Sequence, residues 1–142
     1  MSNLTVDFRL HPLDLESNIA IGISLPLMKS NTQFNLTYTT LDQAKANLVN
    51  LLLTNKGERV MLPNFGCDIY KMLFENITDS LLIKIEEVIR EEVAFWLPYI
   101  QIDEVNVTHD IDAHTINFDL LFLTNGNKFN PEKLVFNIIL PK

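Results

Sequence analysis

The chain is poor in cysteine, in clustered basic residues and in long apolar runs, and each shortage removes a class of protein. Cys67 is the single cysteine, so no disulfide can form within the chain and stability must come from a packed core. Apolar neighbours surround Cys67 in sequence and no histidine lies close enough to act as its base, so it reads as a small buried side chain. Eighteen acidic residues outweigh eleven basic ones, giving a formal charge of -7. No lysine or arginine cluster could track a phosphate backbone, and nucleic-acid binding is not expected. No stretch approaches the roughly 20 apolar residues that cross a bilayer, and no basic segment followed by an apolar run opens the sequence. These two absences predict a cytosolic protein without membrane contact. No repeat, low-complexity tract or linker divides the 142 residues, a length suited to one domain that buries roughly two thirds of its unfolded surface.

The patterns that are present divide the chain into helices first and strands after. Residues 1–18 have no sustained period and are expected to form an extended or partly ordered arm, with a single domain over residues 19–142. Ile19, Ile21, Ile23 and Leu25 alternate with smaller residues, the period of a strand buried on one face, and Pro26 marks an edge. Thr40-Leu41-Asp42-Gln43 fits a capping box, predicting a helix from 41 to about 55 with Leu41, Ala44, Leu48, Leu51 and Leu52 inward. Gly57 then offers the left-handed residue that closes a helix. Val60, Met61 and Leu62 read as a short extended step, Pro63-Asn64-Phe65-Gly66 as a tight turn, and Ile69, Met72 and Leu73 as a short second helix. A long helix follows from Thr78 or Asp79 to Leu97, with Leu82, Ile85, Val88, Ile89, Val93 and Trp96 inside and Pro98 ending it.

Ile100 and Ile102 alternate in one phase and Val105 and Val107 in the other, which predicts a bulge near Asp103 and Glu104. Ile116, Phe118, Leu120 and Phe122 alternate, as do Leu134, Phe136, Ile138 and Leu140. The expected fold is therefore α+β: two main helices and a short one packed on a small antiparallel sheet with a C-terminal three-stranded meander.

The run Leu51-Leu52-Leu53-Thr54, Lys56-Gly57-Glu58-Arg59, Pro63-Asn64-Phe65-Gly66-Cys67 and Leu73-Phe74-Glu75 resembles, in order and spacing, the signature of the sheath-initiator family of contractile-tail baseplates. That family was historically labelled gene-twenty-five-like lysozyme and includes a phage wedge subunit and a type VI secretion baseplate component. The resemblance extends over roughly residues 18 to 140 and implies a structural protein with no cofactor, on which the contractile sheath begins to polymerise. The implied partners are the tail sheath protein, other baseplate wedge proteins and the tail tube or hub. The implied place is the tail baseplate of a virion, assembled in the host cytoplasm. In the family the C-terminal sheet resembles the sheath protein's own interlocking domain and receives strands from sheath subunits. Leu134, Phe136, Ile138 and Leu140, or Ile21 and Ile23 of the earlier strand, are the candidate residues for that pairing; residues 134–140 carry no charge that would discourage it.

Relatives usually carry a Glu-Pro-Arg triplet after the long helix for docking on the wedge core. Here the position reads Leu97-Pro98-Tyr99, which keeps only the proline. Glu58, Arg59, Pro98 and Tyr99 are the candidate core-facing residues. The Glu58-Arg59 pair either locks its own turn or reaches a partner.

Two enzymatic or metal-based readings compete. Glycoside hydrolysis needs one protonated acid and a second carboxylate at a set separation, and Glu58, Asp68 or Glu75 could be gathered by the turn to act on peptidoglycan. Asp68 and Glu75, however, fall near the ends of a short helix, where carboxylates cap or stay hydrated. His109-Asp110-Ile111-Asp112-Ala113-His114 has metal-ligating side chains in neither helical nor calcium-loop spacing, and on a hairpin such residues serve the turn. A free adaptor or a type VI component on the same fold remains open; the alternation of residues 19–25 favours a phage tail.

Overall fold

Two adjacent threonines start the first helix, and their hydroxyls divide the work. Helix α1 spans Thr40–Leu53, and its N-cap is Thr39. Thr39 Oγ1 accepts from Asp42 N at 3.1 Å and donates to the Asp42 carboxylate at 2.7 Å. The cap thus lies one residue ahead of the expected box at Thr40. Thr40 is taken up elsewhere: its N–H and its hydroxyl both donate to the Asp14 carboxylate, each at 2.7 Å. Asp14 belongs to a short 3-10 helix, Pro12–Leu15, and places a negative charge where the helix dipole favours one. Gln43, expected to close the box, accepts from the Thr37 hydroxyl at 2.6 Å and donates to Asn47 at 2.9 Å.

The chain is described here by a computed structural model over residues 12–16, 18–24, 35–75, 77–125 and 127–140. Most of the expected arm and the end of the 19–25 strand lie outside the described residues. Among the described residues of that strand, β1, Gly22–Ile23, forms, antiparallel to β2, Leu36–Thr37. The pair is a separate ribbon, not an edge of the larger sheet. It lies against α1, and two strands offer too little cover to bury an alternating face: Ile19 and Ile23 are exposed and Ile21 half-buried.

Helix α1 ends at Leu53, short of the expected end near 55. Thr54 turns extended, its hydroxyl donating to Asn50 O at 2.5 Å while its carbonyl accepts Cys67 N at 2.8 Å. Gly57, at φ 95°, therefore serves the next turn instead of capping the helix. Gly66, at φ 120°, has a different duty: a side chain there would collide with the Thr54 carbonyl. The short helix α2 is Ile69–Met72 and the long helix α3 is Asp79–Trp96, capped by Thr78 and stopped ahead of Pro98. Leu81, Ile85, Ile89 and Val93 form the buried stripe of α3, with Leu82, Val88 and Trp96 along its borders.

The remaining strands are β3, Ile100–Asp110, β4, Thr115–Thr124, and β5, Asn127–Ile139, joined as an antiparallel meander in the order β3-β4-β5. The register of β3 against β4 shifts between Ile102 and Glu104, the bulge that the change of phase predicts. Ile116, Phe118, Leu120 and Phe122 on the central strand are fully buried, and Phe136 stacks on Phe118 with ring centroids 4.7 Å apart. β5 begins well before the expected alternation at Leu134 and contains Pro131, which an edge strand tolerates because the missing N–H is not needed on its open side. α3 packs on β3, and one cluster of buried side chains runs from Ala44 of α1 to Ile138 of β5. Among the described residues no helix is long and apolar enough to cross a membrane.

Candidate docking surfaces

The outer edge of β5 is the first candidate surface. β5 is terminal in the sheet, and among the described residues no strand flanks its second side. Leu140 N donates to His114 O at 2.8 Å. With a strand period of two, the N–H groups of 134, 136 and 138 point with it toward β4, while those of 135, 137 and 139 point away. The candidate side chains Leu134, Phe136, Ile138 and Leu140 lie on the helix-covered face, Ile138 buried and the others half-buried against the core. They set the strand in place, and the backbone groups that face away from β4 are those of Val135, Asn137 and Ile139. The first half of β5 is guarded by Pro131, by Glu132 paired with Lys45 at 3.0 Å, and by Lys133 paired with Asp119 at 3.2 Å. The second half has no such guard.

A groove of about 400 Å³ lies beside this edge, bounded by Leu36, Thr37 and Tyr38 around β2, by Lys45, Ala46 and Val49 of α1, and by Leu134 of β5. The ribbon and the meander therefore face each other across α1. Ile21 borders a second groove of about 420 Å³ with Asn47 and Tyr99.

The second surface is the loop from Thr54 to Cys67. Glu58 turns inward on it: Asn55 N and Nδ2 donate to the Glu58 carboxylate at 3.1 and 2.8 Å. Arg59 donates to Asn50 Oδ1 at 3.0 Å and stands 3.9 Å over the Phe65 ring. Tyr99 accepts from Asn47 Nδ2 at 2.7 Å. Asn47 and Asn50 are one helical turn apart, so α1 brings Arg59 and Tyr99 to a single face. Pro98 borders a different groove with Arg90, Ala94 and Gln101. Residues 60–62, expected as extended, instead turn, with Leu62 N donating to Arg59 O at 3.2 Å.

Beneath the loop, Lys56 is ion-paired with Glu92, whose other oxygen accepts from Trp96 Nε1 at 3.2 Å. The hydrogen bond to Glu92 holds the Lys56 ammonium above its ordinary range. Cys67 is fully buried, and burial pushes its thiol up to about 12, Glu92 adding to the effect and Lys56 opposing it. This is a core thiol without nucleophilic character at neutral pH. Residues separated by 36 positions make the Lys56–Glu92 pair, which leaves no local signal for it in the sequence.

The three carboxylates of the hydrolase reading do not converge on one another's partners. Glu58 serves Asn55, and Glu75 is exposed beyond α2. Asp68 precedes α2 without capping it and lies 2.8 Å from Lys71 Nζ, an ion pair by distance though not aligned as a hydrogen bond. The residues 109–114 form the β3–β4 connection, where Ala113 N donates to Asp110 at 3.0 Å and His114 adopts φ 49°. Among the described residues no three His, Cys, Asp or Glu side chains are grouped to hold a metal.

The arrangement matches known proteins across the helices and most of the meander. Residues 40–127 match the family described as baseplate wedge protein gp25. Baseplate wedge protein gp25 of Enterobacteria phage T4 is 32% identical over 94 residues, covering 66% of this chain and 71% of the phage protein. A crystal structure from Geobacter sulfurreducens, provisionally labelled a tail lysozyme, superposes with a TM-score of 0.65 at 25% identity, over 73% of this chain and 95% of that one. A chain of a type VI secretion baseplate complex superposes at 0.57 and 17% identity, over 70% of this chain and 93% of its own, a likeness of fold alone. On the family match and the phage relative together, the chain belongs to the gp25 family, the baseplate wedge proteins of contractile tail systems.

Proposed function

We propose that this chain is a structural subunit of a contractile phage tail that starts sheath polymerisation by taking a strand from a sheath subunit on the outer edge of β5. One observation carries the reading: among the described residues, the second half of β5 has an open backbone edge, no charge from 134 to 140, and a groove at its side. An incoming strand satisfies the amides and carbonyls of Val135, Asn137 and Ile139, and the groove toward β2 sets its register through side chains. Leu134, Phe136, Ile138 and Leu140 hold that edge in position; Ile21 and Ile23 are a weaker alternative because their ribbon is short. The loop of Glu58 and Arg59, with Tyr99 on the same face of α1 and with Pro98, faces the wedge core. Assembly takes place in the bacterial cytoplasm, and the subunit remains in the tail baseplate.

Proline tests the edge. At Phe136 or Ile138 it deletes a ladder bond to β4 and damages the sheet itself, so Asn137 is the informative position. Asn137→Pro is expected to leave a folded domain that joins the wedge but nucleates no sheath in an assembly reaction. Normal nucleation by a folded Asn137→Pro variant would falsify the assignment of this edge.

The hydrolase reading has one observation in its favour, the label on the Geobacter relative. It requires peptidoglycan lysis that disappears in Glu58→Gln or Glu75→Gln. The geometry supports the structural role instead, because Glu58 is engaged within its own loop.

A further inference from the structure

The loop that binds its own charged residues displays apolar ones. Val60 and Met61 are 92% and 93% exposed. They are not loose: Gly57 N donates to Pro63 O at 2.7 Å, Leu62 N to Arg59 O at 3.2 Å and Phe65 N to Leu62 O at 3.0 Å, while Arg59 is clamped over Phe65. A tip fastened on both sides cannot fold its side chains back into the core. The domain forgoes the burial energy of two large apolar residues, which is the mark of an interaction site when the residues sit together.

Next to the tip, Lys56 and Asn64 of the loop and Glu91, Glu92, Phe95 and Trp96 of α3 border one groove of about 340 Å³. Phe95 is 73% exposed and meets Trp96 edge-on at 5.0 Å; Trp96 in turn meets Phe65 at 5.2 Å. The loop and the end of α3 are thus one aromatic-backed surface. Lys56 and Glu92 pair with each other there, which leaves Glu91, exposed, as the groove's unbalanced charge.

We propose that Val60, Met61 and Phe95 form an apolar plug that seats this subunit in a wedge protein whose receiving pocket is apolar and rimmed by lysine or arginine, one cation of which enters the groove between Glu91 and Phe95. The inference rests on the wedge-docking reading above and names the contact surface and the chemistry of the partner. A carboxylate beside an aromatic face is suited to a guanidinium or ammonium. The formal charge of -7 makes a basic partner electrostatically favoured over an acidic one. Met61 supplies a flexible thioether that adapts to an irregular pocket, and the pre-fastened loop lowers the ordering cost of binding.

The test uses the full chain and, as probe, the purified wedge complex of its own tail assembled without this subunit. Affinity is measured for the wild type, the double variant Val60→Asp/Met61→Asp, Phe95→Ser and Glu91→Lys at low and high salt, alongside thermal unfolding. The exposed substitutions are expected to leave the melting temperature near that of the wild type. The double variant and Phe95→Ser should each bind at least tenfold more weakly, and Glu91→Lys should weaken binding at low salt and flatten its salt dependence. Wild-type affinity in the folded double variant overturns the plug while leaving the wedge reading intact. A wild-type chain that does not bind the wedge complex removes both.

Discussion

Cys67 donates its N–H to Thr54 and has no exposed surface, and two outcomes follow from that burial. Thiol reagents should label the protein only after unfolding. Stability should also fall in alkali, and the sign follows from where the proton is held. Below the ordinary thiol value of 9.0, both folded and unfolded chains carry the proton and pH has no effect through this group. Between 9.0 and about 12 the unfolded chain ionises while the folded one does not, so unfolding gains about 1.4 kcal/mol per pH unit. Lys56 acts in the same direction at higher pH, because its raised value contributes stability that is present below 10.5 and lost as pH passes the folded value. Urea unfolding at pH 7.5 and 10 should show a loss in the wild type that Cys67→Ala reduces; equal losses in both would contradict the account. At Arg59, removal of the bond to Asn50 and of the ring contact should cost about 1–2 kcal/mol in Arg59→Ala. Arg59→Lys should restore little of it, since an ammonium cannot present the same planar fork. Wild-type stability in Arg59→Ala, measured by thermal unfolding, would mean that the clamp is ornamental.

At the scale of elements, β5 makes the sharpest contrast between neighbouring positions. Asn137→Pro removes an outward donor, and Phe136→Pro removes one that faces β4, so the first should keep a cooperative unfolding transition and the second should lose most of it. Equal damage at both would show that the outward set has been misassigned. The sheet was legible in the sequence because strict alternation survives wherever one face is buried: Ile116 to Phe122 marks the central strand, and the change of phase at Asp103 marks the bulge. The strand at β1 was legible by the same period, but its exposure was not, because Ile19 and Ile23 alternate without being buried. Helix ends were legible only to within a few residues. Thr39 and Thr40 are both competent caps, and the choice between them is made by Asp14, 26 positions from Thr40. Leu53 ends α1 because Thr54 binds Cys67 across the loop, a contact that periodicity cannot register. The apolar tip was hidden for the opposite reason, since Val60 and Met61 look in sequence like residues on their way into a core.

The whole molecule is a meander covered on one face by two helices, with an open strand edge at β5 and a fastened apolar loop elsewhere. Such an arrangement suits a subunit that is held by one surface and builds from another. The two surfaces should be separable: variants of Val60 and Met61 are expected to fail at entering the wedge, whereas Asn137→Pro fails at the next step. The most direct measurement is electron microscopy of wedge complexes mixed with sheath subunits from the same tail, with and without this chain. Ordered sheath growing only when the chain is present, and not with Asn137→Pro, is the predicted result. Sheath that grows equally well without the chain would contradict the proposed role of initiator.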